Sequence, residues 1–468
     1  MLLVQVTSEH ERKLDAPPGF RLPALGGRPL EPRSFTSVYF DVPGGGLAEA
    51  GITLRYRTED GRGVWQLKLP SADARLELES PGDAGAPPEA FRRLLSIHLR
   101  RGPLRPVAEL RTRRHGELVA RNGTTAEVTV DEVDVVDVRR PAHGFVEVEI
   151  ELRDGDPTGI EQIAEEVERA GAEPGAGAPK LFRVLGLDSS PGPRPSEPLE
   201  ALRALLRVQR GEILAHDPGT RLGADPESLH DMRVAVRRSR ALLRAGRKLL
   251  AREPAELGAE LKELGAVLGA VRDLDVLLER LHAEAAQLDS PDAAAAERVL
   301  ADLERERAGA RRRLLQALDD PAYFELLDRF ERELDSLEAS GADVTLGSLA
   351  ARELRRVRKA VLALPEEPPD EALHELRKLG KRARYSAELA GQDEVVRRAK
   401  KLQDVLGEHQ DAVVAAGRLR ELAAEALPAE ALAVGRLLER EEARRVETRA
   451  TWREAWERLD HAGRRLDP

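Results

Sequence analysis

Side-chain periodicity changes character once along this chain, at Asp188-Ser189-Ser190-Pro191-Gly192-Pro193-Arg194-Pro195-Ser196-Glu197-Pro198. Before that segment, apolar and polar residues alternate with a period of two. After it they recur at helical spacing. The two patterns exclude each other, because strand side chains alternate between faces while helical ones return roughly every 3.6 residues. The proline-rich stretch continues neither pattern and reads as a connector. Residues 1–187, 188–198 and 199–468 are therefore expected to be a strand-rich domain, a linker and a helical domain. A length of 468 residues also favours two cores over one.

The strand-like half is charged on one face, run after run. Glu9, Glu11 and Lys13 point one way with Gln5 and Thr7, and Val4 and Val6 point the other. Arg55 and Arg57 share a face, as do Gln66 and Lys68 opposite Trp65, Leu67 and Leu69. Arg75, Glu77 and Glu79 alternate with leucines. Glu127, Thr129 and Asp131 alternate with valines and alanine, and Glu147, Glu149 and Glu151 with valines and isoleucine. Pro43-Gly44-Gly45-Gly46, Asp60-Gly61 and Asn122-Gly123 supply turns, and residues 158–170 read as a short covering helix. Alternation alone predicts an antiparallel sheet with one wet face. Here that face is mostly Arg, Lys and Glu, with few Ser, Thr or Asn. Closing the sheet with this face inward gives a barrel whose lumen sets acids against bases. Such a lumen needs ions or a multiply charged ligand to be tolerable. Acids on a divalent metal, with Lys13 on a phosphate oxygen, meet that need.

The helical half, with breaks expected at Pro218, Pro254, Pro291, Pro321, Pro365 and Pro428, fits roughly ten helices. It repeats itself: His230-Asp231-Met232-Arg233 is echoed by His374-Glu375-Leu376-Arg377. The Leu264–Asp273 segment is echoed by Leu402–Asp411, in the same order. Two similar bundles follow, with Gly269 and Gly407 as candidate close-packing points between helices. On a helical wheel His230, Arg233, Arg237, Arg240, Arg244 and Arg247 form one stripe. His374, Arg377, Lys381 and Arg384 form the matching one, with Lys378 beside it. Exposed helix faces ordinarily mix signs at i,i+4; these are nearly all cationic, which points to a polyanion.

Composition limits the rest. Lys+Arg number 74 against 84 Asp+Glu, a net charge of -10, which argues against indiscriminate binding of polyanions. No cysteine is present, so disulfides and thiolate metal sites are excluded. No apolar run approaches a membrane span and no secretory signal is visible, so a cytoplasmic protein is expected. The basic helices lack base-reading company, which argues against sequence-specific nucleic acid. Nothing in the sequence sets the oligomeric state.

These residues resemble a known pairing. The first half is similar to a CYTH domain, of the triphosphate tunnel metalloenzymes. The resemblance rests on Glu9-x-Glu11-x-Lys13, Tyr39-Phe40-Asp41, Gly51-x-x-Leu54-Arg55-x-Arg57, Leu67-Lys68, Glu147-x-Glu149-x-Glu151, and Lys180 near Arg183. The second half resembles a CHAD domain through its two His-x-x-Arg helices and two Leu-Gly…Asp segments. The resemblance implies a multidomain α+β chain: an N-terminal eight-stranded antiparallel β-barrel around a triphosphate tunnel, then an all-α domain of two pseudo-symmetric helical bundles. It implies Glu9, Glu11, Glu147 and Glu149 as ligands of Mg²⁺ or Mn²⁺, with Glu151 a further acid. Lys13, Arg55, Arg57, Lys68 and Lys180 would grip phosphate, and Arg113 or Arg114 would join them, the register leaving both open. Glu77 or Glu79 and Asp131 match further acids of the barrel. Glu9, Glu11 and Lys13 are the candidate catalytic set. The implied activity is metal-dependent hydrolysis of a triphosphate, foremost inorganic tripolyphosphate, with inorganic polyphosphate bound along the helical stripes. The alternatives are a non-catalytic polyphosphate scaffold associated with granules, and a nucleotide or thiamine triphosphatase.

Overall fold

The computed structural model describes residues 5–70, 75–136, 144–175, 179–187 and 195–466. Most of the connector, 188–194, lies outside the described residues. The chain forms two compact units, Met1–Pro193 with Gly211–Met232, and Arg194–Arg210 with Arg233–Pro468.

The first unit is built on an antiparallel sheet of 11 strands. They are β1 (Gln5–Glu9), β2 (Glu11–Ala16), β3 (Arg28–Pro29), β4 (Arg33–Asp41), β5 (Thr53–Glu59), β6 (Arg62–Pro70), β7 (Arg75–Pro81), β8 (Arg105–Arg121), β9 (Thr124–Val135), β10 (Phe145–Gly155) and β11 (Glu173–Pro174). The order is β1-β7-β6-β5-β4-β8-β9-β10-β2-β11, with β3 on β8. Asp60-Gly61 and Asn122-Gly123 join β5 to β6 and β8 to β9. Their φ values of 48°, 75°, 51° and 79° are the left-handed pairs that two-residue hairpins require.

The expected closed, eight-stranded barrel is corrected here: among the described residues the ladder does not return on itself. The reason lies at His10. The first extended run breaks there, β1 pairs with β7 and β2 pairs with β10. Among the described residues the two ladders are therefore joined by the chain and not by strand pairing. His10 itself offers its carbonyl to the Leu152 N–H at 2.9 Å. This break, together with the two-residue strands β3 and β11, raises the strand count above eight.

The sheet's apolar face is covered and its charged face is turned to a cavity. Short helices α1 (Gly46–Glu49), α2 (Glu89–Leu94) and α3 (Ser96–Leu99) accompany β5–β7, where Leu54, Trp65, Leu67 and Leu78 bury against Phe91 and Leu95. Helix α4 (Thr158–Arg169) lays Ile160, Ile163, Ala164 and Val167 over Val128, Val148 and Ile150 of β9 and β10. Helix α5 (Lys180–Leu185) buries Leu181 and Phe182 against Leu110 and Val133. Asp41 caps the turn into α1, accepting from the Val42, Leu47 and Ala48 N–H groups at 2.7, 2.8 and 3.1 Å. That gives the acid of Tyr39-Phe40-Asp41 a structural role.

Helices α6 (Pro198–Leu222) and α7 (Pro226–Ala245) each run from one unit's residues into the other's. The second unit continues with α8 (Ala255–Ala285), α9 (Ser290–Asp319), α10 (Pro321–Asp335), α11 (Leu346–Leu362), α12 (Asp370–Leu389), α13 (Asp393–Glu425) and α14 (Pro428–Gly463). Pro321 and Pro428 begin their helices, where a missing N–H is harmless. Pro218 does not break the chain as expected. It sits inside α6, and helical bonding resumes with the Gly223 N–H on the Gly219 carbonyl at 2.8 Å. Its apolar clusters include one around Leu281, Leu300, Leu303 and Leu419 and another around Leu354, Leu376, Leu402 and Trp452. Helix α14 serves both, with Leu437 in the first and Trp456 in the second. The repeat occupies α7–α8 and α12–α13; α7 and α12 are each 20 residues long. No helix among the described residues is long and apolar enough to cross a membrane.

Candidate functional site

The charged face of the sheet lines a cavity of about 510 Å³. Register decides who meets whom. Lys13 pairs with Glu149 across β2 and β10, Glu147 with Asp131 across β10 and β9, and Asp131 with Arg114 across β9 and β8. Two acids directly opposite, Glu147 and Asp131, repel unless a cation sits between them. Lys180 does so from the start of α5. Its Nζ lies 2.8 Å from Glu147, 2.5 Å from Glu149 and 3.0 Å from Asp131. Lys13 Nζ lies 3.1 Å from Glu149, 3.2 Å from Glu11 and 3.9 Å from Glu147. Arg114 donates to both Asp131 oxygens at 2.7 and 2.6 Å and also to Glu149.

Burial works against each of these charges and the partners outweigh it unevenly. Lys180 is held well above the ordinary ammonium range by Glu147, Glu149 and Asp131, and Lys13 is raised by Glu149, Glu11 and Glu147. Glu149 is held well below the carboxylate range by Lys180, Lys13 and Arg114. For Glu147, burial prevails and its pKa is raised.

On the opposite wall Arg55 donates to Gln66 at 2.6 Å and to the Tyr39 hydroxyl at 3.2 Å, and Gln66 in turn donates to Glu79. Lys68 lies 3.5 Å from Glu77. Arg57 pairs with Glu59 at 2.7 Å and rests 4.0 Å from the centre of the Phe35 ring. The open register on β8 is now fixed: Arg114 faces the cavity. Arg113 points the other way, 62% exposed and 3.1 Å from Glu132, and leaves the binding set. The side chain of Glu9 lies outside the described residues. Sequence reasoning named Tyr39 only within a motif and passed over Arg33, Phe35 and Ser37 on β4, whose alternation could have found them.

The donors suit a hard divalent cation, since Glu11, Glu147, Glu149 and Asp131 offer only oxygen. Glu77 Oε1 is also buried, with no hydrogen-bond partner among the described residues. Among the described residues no three acids are already gathered around an ion's position. Their oxygens are instead taken by Lys13, Lys180 and Arg114.

The helical unit holds a second cavity, about 660 Å³, walled by cations from several elements. Helix α7 gives Arg237, Arg240 and Arg244, the 3₁₀ turn Gly246–Leu249 gives Arg247 and Lys248, and α12 gives Lys378, Lys381 and Arg382. Helix α11 adds Arg352 and Arg356, which sequence reasoning missed because Glu353 between them looked like ordinary sign mixing. Glu353 is buried and its Oε1 is held by Arg352 and Arg356 at 3.3 and 2.7 Å.

The repeated glycines pack against arginines. A Cβ on Gly269 would lie 3.6 Å from Arg233 Nε, and one on Gly407 would lie 3.2 Å from Arg377 Nη2. One turn onward an acid opposes each guanidinium: Asp273 sits 2.8 Å from Arg233, and Asp411 acts on Arg377. His-x-x-Arg and Leu-Gly…Asp are thus two parts of one device, made twice. His374 Nδ1, Arg377 Nε and Arg237 Nε are buried without a hydrogen-bond partner among the described residues. His230 opens α7's stripe three residues before Arg233. Arg384 lies over the Tyr385 ring at 4.8 Å and outside the cavity lining.

Comparison with known proteins matches the two parts of the chain to two families. The family model for the CYTH domain fits residues 7–181 and that for the CHAD domain fits residues 204–420. An uncharacterized protein of Mycobacterium tuberculosis is 35% identical over 419 residues, 81% of this chain and 80% of its own. The chain belongs to the CYTH–CHAD family. Among solved structures, PptA from Streptomyces chartreusis is similar at 25% identity, covering 55% of this chain and 99% of its own, with TM-score 0.49. The CHAD domain from the plant Ricinus communis is similar at 25% identity, covering 58% and 97%, with TM-score 0.45.

Proposed function

We propose that the CYTH unit hydrolyses a phosphoanhydride bond of a linear triphosphate, inorganic tripolyphosphate first, and that the CHAD unit binds inorganic polyphosphate. The carrying observation is the interlocked set Lys13, Lys180, Arg114, Glu149 and Asp131 on the wall of one cavity. Its cations neutralise acids, and each can exchange a carboxylate for a phosphate oxygen. Lys13, Lys68, Lys180, Arg55 and Arg114 then hold the chain in line. Glu11, Glu147 and Glu149, freed of their ammonium partners, become available to Mg²⁺ or Mn²⁺. Bound there, the ion would neutralise phosphate charge and polarise the phosphorus under attack.

An inorganic substrate is favoured over a nucleotide by the aromatic rings of this cavity. Phe35 and Tyr39 are buried, and the guanidiniums of Arg57 and Arg55 lie 4.0 and 5.9 Å from their centres. Neither ring offers a free face to a base. Tripolyphosphate should therefore exceed ATP in kcat/KM by at least about tenfold, about 1.4 kcal/mol. Equal specificity constants would refute this preference.

Phosphate release from tripolyphosphate with Mg²⁺ or Mn²⁺ tests the activity. Arg114→Ala should lower kcat/KM about 100-fold or more, as loss of a charge-stabilising donor does. Arg113→Ala should stay within about twofold. Equal losses would overturn the assignment of the cavity, and no release by the unaltered protein would overturn hydrolysis itself.

A further inference from the structure

Lys381 lies among the cations that wall the CHAD cavity. From its own helix it faces Arg377, Lys378, Arg382, Arg384 and the Tyr385 hydroxyl; from α7, Arg233, Arg237, Arg240 and Arg244. The 3₁₀ turn adds Arg247 and Lys248, and α11 adds Arg352 and Arg356. The acids nearby are already engaged. Glu353 is held by Arg352 and Arg356, Asp273 by Arg233 at 2.8 Å, and Asp411 faces Arg377. Among the described residues no carboxylate pairs with Lys381. An arginine in this field keeps its proton regardless, whereas a lysine can give it up. Burial, then Arg377, Arg237 and Arg233, push the Lys381 ammonium down to about 7.

We propose that the CHAD cavity takes up a proton at Lys381 when it captures a polyphosphate chain, so that capture tightens as the pH falls toward neutrality. The proposal rests on the reading of this unit as a polyphosphate binder and deepens it. Bound phosphate oxygens replace repulsion with attraction, so the bound lysine prefers its charged form. Above neutrality the free amine is largely uncharged, and each captured chain must draw a proton from solvent. The apparent affinity then falls by up to about tenfold per pH unit. Below about 7 the free lysine already carries its proton and this dependence fades.

Calorimetric titration of the full chain with medium-chain inorganic polyphosphate, in buffers of different ionisation enthalpy, counts the protons directly. At about pH 8 the expected uptake is close to one proton per chain captured. Lys381→Arg should bind without that uptake and with a flattened pH profile. His230→Gln with His374→Gln should retain the uptake whatever its affinity, since the proton is assigned to Lys381. Binding without uptake in the unaltered protein, or uptake persisting in Lys381→Arg, would overturn the inference while leaving polyphosphate binding intact. Failure of the unaltered protein to bind at any pH would remove both.

Discussion

Glu149→Ala is expected to destabilise the CYTH unit by on the order of 3–5 kcal/mol, the cost of stranding buried charge. Glu149 is the acid shared by Lys13 at 3.1 Å, by Lys180 at 2.5 Å and by Arg114. Deleting it leaves buried Lys180 and part-buried Lys13 and Arg114 crowded together with less to balance them. Hydrogen exchange of peptides from β9 and β10, followed through a urea series, reads this unit separately from the CHAD unit. Added tripolyphosphate should restore much of the lost protection, since it supplies the missing negative charge. An unchanged urea midpoint would show that the cluster is not held through Glu149. The same cluster sets a pH window. The depressed Glu149 contributes stability above its unfolded pKa, and that contribution is lost as the pH falls through the folded value. The raised Lys180 contributes below its unfolded pKa, and that part is lost as the pH rises through the folded value. Protection of β10 should therefore be flat across neutrality and decline at both extremes.

Much of the cavity wall was readable because strand alternation is strict. Once β10 is a strand, Glu147 and Glu149 must share a face, and the same holds for Arg55 with Arg57. Which partner each would meet was not readable, because register is a long-range property. Arg113 and Arg114 show this: one residue of slip exchanges inside for outside, and pairing with Asp131 across β9 decides it. Lys180 was singled out, but its place between two facing acids depends on α5 docking against β8 and β9. The break at His10 left no sequence signal, since an open ladder and a closed one carry the same alternation. In the helical half the stripes on α7 and α12 were visible because like charges recurred at helical spacing. Helix α11 was not, because Glu353 hid its arginines. A single acid among cations looks like a solvated face until burial shows that it is holding them.

That difference predicts the behaviour of the CHAD cavity. Arg352→Ala with Arg356→Ala is expected to weaken polyphosphate capture about 100-fold at low salt, about 1.4 kcal/mol for each charged contact. Arg240→Ala with Arg244→Ala should cost a similar amount, because both pairs line the same space. Each pair should also flatten the plot of log affinity against log salt by about 1.4, near 0.7 for each cation removed. The competing arrangement is a chain lying only along the α7 and α12 stripes, never touching α11. It would leave the Arg352/Arg356 variant close to the unaltered protein in both affinity and salt slope. Stability separates a binding effect from a folding one. Removing these arginines strands Glu353, which is 6% exposed, so the variant should lose some thermal stability. Adding Glu353→Gln to it should return that stability without returning the affinity. An affinity restored together with stability would mean that α11 supports the cavity without touching the chain.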